Sequence, residues 1–408
     1  MTRRPLTIAM PTPSFLPGLG GMEVGLHNIA KRLAARGHRV FVMPPASQAA
    51  ELRKGGFSAG YGLLPLPPRI VHCGMRHPVA ATRVLAAYFS WISLRHGIDV
   101  WHATMAWPVG AALGRLSRFR RFRATLMRSA GADIQIDRDI GYGVRLDPLI
   151  DDQVRALLPR LPAFVAITDT VAREYMALGI APERIVHIPN GVDRARFAVA
   201  PPLDGFRDRH HLGPRTFVFL CVGRNHAKKN LSMLIEAARV LRARSPDADF
   251  AVVLAGKGVA ALAGEIAAAG MEAYFILEDV IAPRHLSGDF DLPADALVSL
   301  YKTADCFIFP SLIETFGIAL VEAMAAGLPV LTADSPGCRD IADGGRYAAL
   351  FDPGDAGGIA ETMQRAMEDA PWREGLRRAA AGRAADFDWE SIVSRYEDLY
   401  RGLLDRPS

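Results

Sequence analysis

The chain has 408 residues, of which 50% are apolar and 22% charged, with a formal net charge of +5 and a pI near 9.1. Length and balance describe a globular protein of two domains with a large core, and no apolar run reaches the length of a membrane span. The mild basicity permits an anionic membrane surface or an anionic substrate without demanding nucleic acid. Four cysteines, Cys73, Cys221, Cys306 and Cys338, show no paired spacing, which fits a reducing, cytoplasmic setting and gives no zinc signature.

Residues 6–10 read as a first strand rather than a signal peptide. A loop with Gly18, Gly20 and Gly21 follows, then a helix over about 23–35. There Leu26, Ile29, Ala30 and Leu33 share one face. Residues 40–43, 99–103, 124–127 and 164–167 are further short apolar strands, and IPNGVD at 188–193 ends this half with the turn dipeptide Asn190-Gly191. Alternating strands and helical segments predict parallel sheets. A proline- and charge-rich linker is expected over 197–214. The second half opens with FVFLCVG, a buried strand ending at Gly223, followed by Arg224, Lys228, Lys229 and a helix carrying Leu231, Leu234, Ile235 and Ala238. Residues 250–255 form the next strand, with Gly256 and Gly258 at its end, and 274–277 another. The stretch 278–295 is polar and proline-containing. Cys306–Phe309, a helix over 318–326, 329–332 and Ala349–Phe351 complete the sheet. A last helix sets Ile392, Tyr396, Leu399 and Leu403 on one face. Domains are expected over 1–196 and 215–388.

Three stretches carry chemistry. Strand, turn and helix at 305–334 place the Glu314–Gly317 loop outside a strand end and at a helix N-terminus, where free backbone N–H groups suit phosphate or sugar oxygens. Glu314 lies in that loop and Glu322 inside the helix; the bland alternative is a polar loop residue and an exposed helix glutamate. Gly20 and Gly21 likewise let backbone approach a phosphate at the first helix. Arg224 and Lys229 follow a strand end, where fixed cations stabilise a departing diphosphate, or else form a solvated basic turn in which Lys228 competes for the role. Two acid triplets, Asp137-Arg138-Asp139 and Asp289-Phe290-Asp291, lack a strand before them, and His72, Cys73 and His77 lack a fourth ligand, so no metal is assigned. The basic stretch at 115–123 holds Arg115, Arg118, Arg120, Arg121 and Arg123, with Phe119 and Phe122 between them. It is a solvated connector packing its aromatics on the sheet, or a patch for anionic lipid; no nucleic-acid motif accompanies it.

In combination GGME, IPNGVD, GR-x4-K and ETFGxxxVEAMAxGxPV resemble the retaining glycosyltransferases of family 4, over nearly the whole chain. The resemblance implies an α/β GT-B fold, two Rossmann-like domains with parallel sheets facing across a cleft. It implies transfer of a sugar from a nucleotide-sugar to a sugar, glycan or lipid-linked acceptor with retention, and no metal cofactor. It places Glu322 on the ribose, Glu314 beside the donor sugar, and Phe316, Gly317 and Ile318 on the sugar or its phosphate. Arg224 and Lys229 would meet the diphosphate, and Gly223 and Gly256 would line the donor side. Gly20 and Gly21 would contact donor or acceptor. The resemblance also implies that 389–408 packs back on the first domain, and it makes 278–295, which is longer than the connection usual in the family, an insertion. Two departures stand out. Asn230 replaces the usual glycine after the lysine, and Ala130 stands where family members often carry a histidine. His102, after a strand, is a candidate acceptor contact or a structural histidine, and Asp133 a second acceptor candidate. The rivals are a GT-B epimerase or phosphorylase, and a non-catalytic sugar-nucleotide binder acting as an assembly partner.

Overall fold

The computed structural model describes residues 4–279 and 290–406. They form two compact units, one of residues 4–190, 290–292 and 389–406, the other of 191–279 and 293–388.

The first unit is built on a seven-stranded parallel sheet: β1 (Thr7–Pro11), β2 (Arg39–Met43), β3 (Gly62–Leu63), β4 (Val100–Thr104), β5 (Thr125–Arg128), β6 (Ala163–Ala166) and β7 (Ile185–His187). Their order is β3-β2-β1-β4-β5-β6-β7. β4, β5 and β6 are buried along their whole length, as parallel strands covered on both faces must be, so they read as continuous apolar runs. The Gly21–Ala35 helix buries Leu26, Ile29, Ala30 and Leu33, as its spacing predicts. The C-terminal helix Trp389–Asp405 belongs to this unit and buries Ile392, Val393, Tyr396, Tyr400 and Leu403. Tyr400 takes the inward position expected of Leu399, because its hydroxyl reaches His102 Nδ1 at 2.8 Å. Arg36 Nη1 and His38 Nε2 then meet Glu397 at 2.5 and 2.8 Å.

The second unit carries six parallel strands: β8 (Phe217–Val222), β9 (Phe250–Ala255), β10 (Phe275–Glu278), β11 (Cys306–Phe309), β12 (Val330–Ala333) and β13 (Ala349–Phe351), ordered β10-β9-β8-β11-β12-β13. The stretch expected as a linker holds two short helices, Arg194–Val199 and Phe206–Arg209. It is not a free tether, because Phe197 and Phe206 are sunk in the core of the second unit.

The expected insertion is divided. Glu278 ends β10 and Asp295 opens a helix, Asp295–Thr303. Phe290–Leu292 packs instead with the first unit. Phe290 stacks on His27 (centroids 4.8 Å apart) and meets Phe57 edge-on, and Lys31 donates to the Phe290 carbonyl and to Asp291. Burial first, then the nearby Lys31 charge, pushes His27 down to about 4. Asp289 lies outside the described residues. In the other acid triplet Asp137 Oδ1 accepts from the Asp139 and Ile140 N–H groups, so this carboxylate is occupied by its own turn.

Candidate active site in the second unit

β8 has β9 on one side and β11 on the other. This is where the strand order reverses, and ligands of open α/β sheets bind outside the strand ends at such a point. Gly223, Arg224 and Lys229 follow β8; Glu314 follows β11. The structure brings Lys229 and Glu314 into contact. Lys229 Nζ donates to Glu314 Oε1, Lys228 Nζ stands 3.8 Å from Oε2, and Ser311 Oγ donates to Oε1 at 2.9 Å. Lys229 Nζ also sits 4.4 Å from the centre of the Phe309 ring. Backbone bonds fix these loops: Leu312 N–H donates to the Lys228 carbonyl at 2.8 Å, joining the loops after β8 and β11, and Glu314 N–H donates to the Pro336 carbonyl in the loop after β12 at 3.0 Å.

Glu314 is only 6% exposed. Burial acts to raise its pKa, but the charges of Lys229 and Lys228 and the hydrogen bonds from Lys229 and Ser311 outweigh it, so the carboxyl stays below its ordinary value. Burial also lowers Lys228; Glu314 opposes that shift, while Lys229 and Arg224 add to it. Arg224 is exposed.

Backbone geometry explains the residue types. Gly256 has φ +146°, and a Cβ there would stand 2.2 Å from the Gly223 carbonyl oxygen. Two strand ends can therefore approach only through glycine. Asn230, the departure from the family pattern, has φ 55°. Asparagine is the side chain that tolerates this left-handed conformation best after glycine, and its Nδ2 donates to the Pro353 carbonyl at 2.8 Å. Gly317 (φ 77°) caps the Ile318–Ala325 helix without a side-chain bond, leaving that end open to backbone contacts. Phe316 is buried edge-on against Phe387, centroids 5.6 Å apart.

Glu322 faces inward, 5% exposed. Tyr301 donates its hydroxyl to Oε2 at 2.9 Å. Burial pushes the carboxyl up to about 7, against the Tyr301 bond and the Arg196 charge. Ser311, Tyr301 and Gly337 escaped the sequence reading. For Ser311 a signal existed in its S-x-x-E spacing to Glu314. Gly337 has φ 78°, and a Cβ on it would lie 2.2 Å from the Glu314 carbonyl oxygen. Tyr301 had no local signal, being brought to Glu322 by tertiary packing alone.

In the first unit Gly20 is the N-cap of the Gly21–Ala35 helix, in extended conformation, with no side-chain cap. Glu23 in its first turn accepts from Ser14 Oγ at 2.7 Å. His102 is fully buried in β4, stacked on Tyr396 at 5.2 Å, and burial, then Arg128, pushes it down to about 3. Asp133 is fully buried and accepts from Ala106 N–H (2.7 Å), Ser129 Oγ (2.8 Å) and Gly131 N–H (2.9 Å). It shapes the loop after β5, and His102 holds the C-terminal helix.

Two parallel-sheet units, one with basic and acidic side chains paired at its switch point, define a GT-B protein. Residues 19–196 match the family described as glycosyltransferase family 4, and residues 205–383 the family described as glycosyl transferases group 1. The chain belongs to these family 4, group 1 glycosyltransferases, enzymes that transfer sugars. It is 31% identical over 245 residues to the D-inositol 3-phosphate glycosyltransferase of Pseudarthrobacter chlorophenolicus, covering 59% of this chain and 56% of that protein. It is 28% identical to the phosphatidyl-myo-inositol mannosyltransferase of Mycolicibacterium smegmatis, over 97% of this chain and 93% of the other. HepE of Anabaena, solved with UDP and glucose, superposes with a TM-score of 0.72 over 97% of this chain and 100% of HepE, at 19% identity.

Proposed function

We propose that this enzyme moves a sugar from a nucleoside-diphosphate sugar to an acceptor hydroxyl with retention of anomeric configuration. The observation that carries the reading is the Lys229–Glu314 pair, backed by Lys228 and Ser311, at the ends of β8 and β11. Lys229 and Arg224 neutralise the diphosphate as the bond from the anomeric carbon to the phosphate oxygen breaks and its electron pair leaves with that oxygen. Fixed cations of this kind stabilise such developing charge by roughly several kcal/mol, and the reading assigns the reaction no metal ion. Glu314 orients the sugar, and Glu322 accepts from the ribose hydroxyls. Phe316, by packing on Phe387, holds Gly317 and the Ile318 N–H at the phosphate or sugar, while Gly223 and Gly256 shape the donor side. Gly20 and Gly21 provide backbone donors in the first unit. The new bond forms from the acceptor oxygen to the anomeric carbon on the face the phosphate leaves, and the acceptor proton passes to the departing phosphate oxygen.

The two relatives, an inositol-phosphate and a phosphatidylinositol glycosyltransferase, favour a polyol, glycan or lipid-linked acceptor. The same reading sets the enzyme in the cytoplasm, where cysteines left free, as these are, persist. The test is transfer itself. Purified protein with a donor panel and inositol-containing acceptors, in EDTA, should give a product whose anomeric configuration by NMR equals the donor's. Inversion, or turnover only with added divalent metal, would overturn the mechanism. Binding with no turnover on any acceptor would favour the assembly-partner reading.

A further inference from the structure

The first unit contains a 19-residue helix, Pro78–His96, that buries Ala81, Leu85, Ala86, Phe89 and Ile92. Its opposite face is apolar as well. Ala80, Val84, Ala87, Trp91 and Leu94 are all exposed and recur at i, i+4, i+7, i+11 and i+14, a single stripe on a helix. Val84 is 50% exposed, Trp91 56% and Leu94 65%, and a run of large apolar side chains in water marks an interaction surface. Tyr88, half-buried, lies against Trp91 with ring centres 5.9 Å apart. The exposed Arg83 and Arg95 fall on either flank of the stripe.

Charge selects the occupant. No acid occurs between Leu52 and Ile98. Nine arginines from Arg69 to Arg123 stand against one acid, Asp99, and Asp99 is already held by Arg4 and the Thr7 N–H. The 115–123 stretch is tied to the helix from its buried side, where Arg115 Nε donates to Thr82 Oγ1 at 2.8 Å. Burial, then the neighbouring charges of Arg83 and Arg160, lowers Arg115. Of the two phenylalanines in that stretch Phe122 is core, against Trp101, while Phe119 is exposed.

We propose that the exposed face of the Pro78–His96 helix docks on an anionic lipid surface. Trp91, Leu94 and Val84 enter the headgroup region, and Arg83 and Arg95 meet the phosphates. A second copy of the chain would set like charge against like. Nucleic acid would use the arginines but leave Val84 and Leu94 without purpose. Among the described residues no helix is long and apolar enough to cross a membrane, so this one lies on the surface. The proposal is independent of the donor site.

The test is co-sedimentation of the full chain with vesicles of phosphatidylcholine, alone or with roughly one-third phosphatidylglycerol. Binding is expected to the anionic vesicles only, weakening with salt. The double substitution Trp91→Ser with Leu94→Ser should lower it at least about tenfold. Arg83→Gln with Arg95→Gln should reduce both the binding and its salt dependence, and this pair serves if the first variant fails to fold. The proposal is overturned if the parent ignores anionic vesicles or if both variants bind as the parent does. It is overturned equally if the parent is a dimer that Trp91→Ser with Leu94→Ser splits, or if duplex RNA is bound in place of the vesicles.

Discussion

In the proposed mechanism Glu322 is the residue on which protonation and ligand binding meet. In the free protein burial raises its carboxyl to about 7, so near neutral pH both forms are populated. Ribose hydroxyls donate to a carboxylate, and binding therefore favours the ionised form. Nucleotide affinity should be full above pH 7 and fall as pH drops through 7, approaching about tenfold per unit. Calorimetric titration between about pH 5.5 and 8.5 measures this, and Glu322→Gln should remove the slope along with much of the affinity. An affinity flat across that range in the parent would separate Glu322 from the ribose. Lys229→Ala has a different signature. It removes the nearest cation from Glu314, leaving Ser311 and a Lys228 at 3.8 Å. The expected loss is about 100-fold or more in kcat/KM. Stability should fall by about 1–3 kcal/mol, below the cost of breaking a fully buried pair because both side chains keep some exposure. Lys228→Ala should cost less on both counts, as read by steady-state kinetics and thermal melts.

At the level of elements, glycine geometry makes separable predictions. Gly337→Ala would press a methyl group against the Glu314 carbonyl, 2.2 Å away at φ 78°. It should weaken donor binding as well as stability. Gly344 also has positive φ (64°) but nothing within 4 Å, so Gly344→Ala should cost only about 1 kcal/mol of backbone strain and leave binding intact. Asn230→Gly should preserve activity, since φ 55° is no strain for glycine. Strand–loop–helix units of the second sheet were legible because each signal is local: an apolar run, a breaker, a periodic face. What was illegible needed tertiary information. β3 is two residues long, below any periodicity. The Pro78–His96 helix went unread because it is apolar on both faces, which erases the amphipathic period. His102 and Asp133 are polar groups near strand ends, and only packing shows the bonds they make to Tyr400 and within the loop after β5.

Across the whole molecule, chain order and unit membership diverge at two places. Phe290–Leu292 and the Trp389–Asp405 helix belong to the first unit although they lie beyond or within the sequence of the second. The place of the C-terminal helix was implied by the family resemblance; that of Phe290–Leu292 has no sequence signature, because a contact between residues 27 and 290 leaves no mark on its neighbours. Removing 389–408 would expose the partners of Tyr396 and Tyr400 and strip Glu397 from Arg36 and His38. Such a truncation should unfold the first unit in calorimetry while nucleotide binding by the second survives. In the proposed mechanism the second unit holds a nucleoside-diphosphate sugar through Glu322 and the Lys229–Glu314 loop pair. Calorimetric titration of the full chain with a panel of nucleotide-sugars, with and without EDTA, decides this. One donor should bind, unaffected by EDTA and weakened at least about tenfold by Glu322→Ala. Silence across the panel, or a bound donor indifferent to Glu322→Ala, would contradict it.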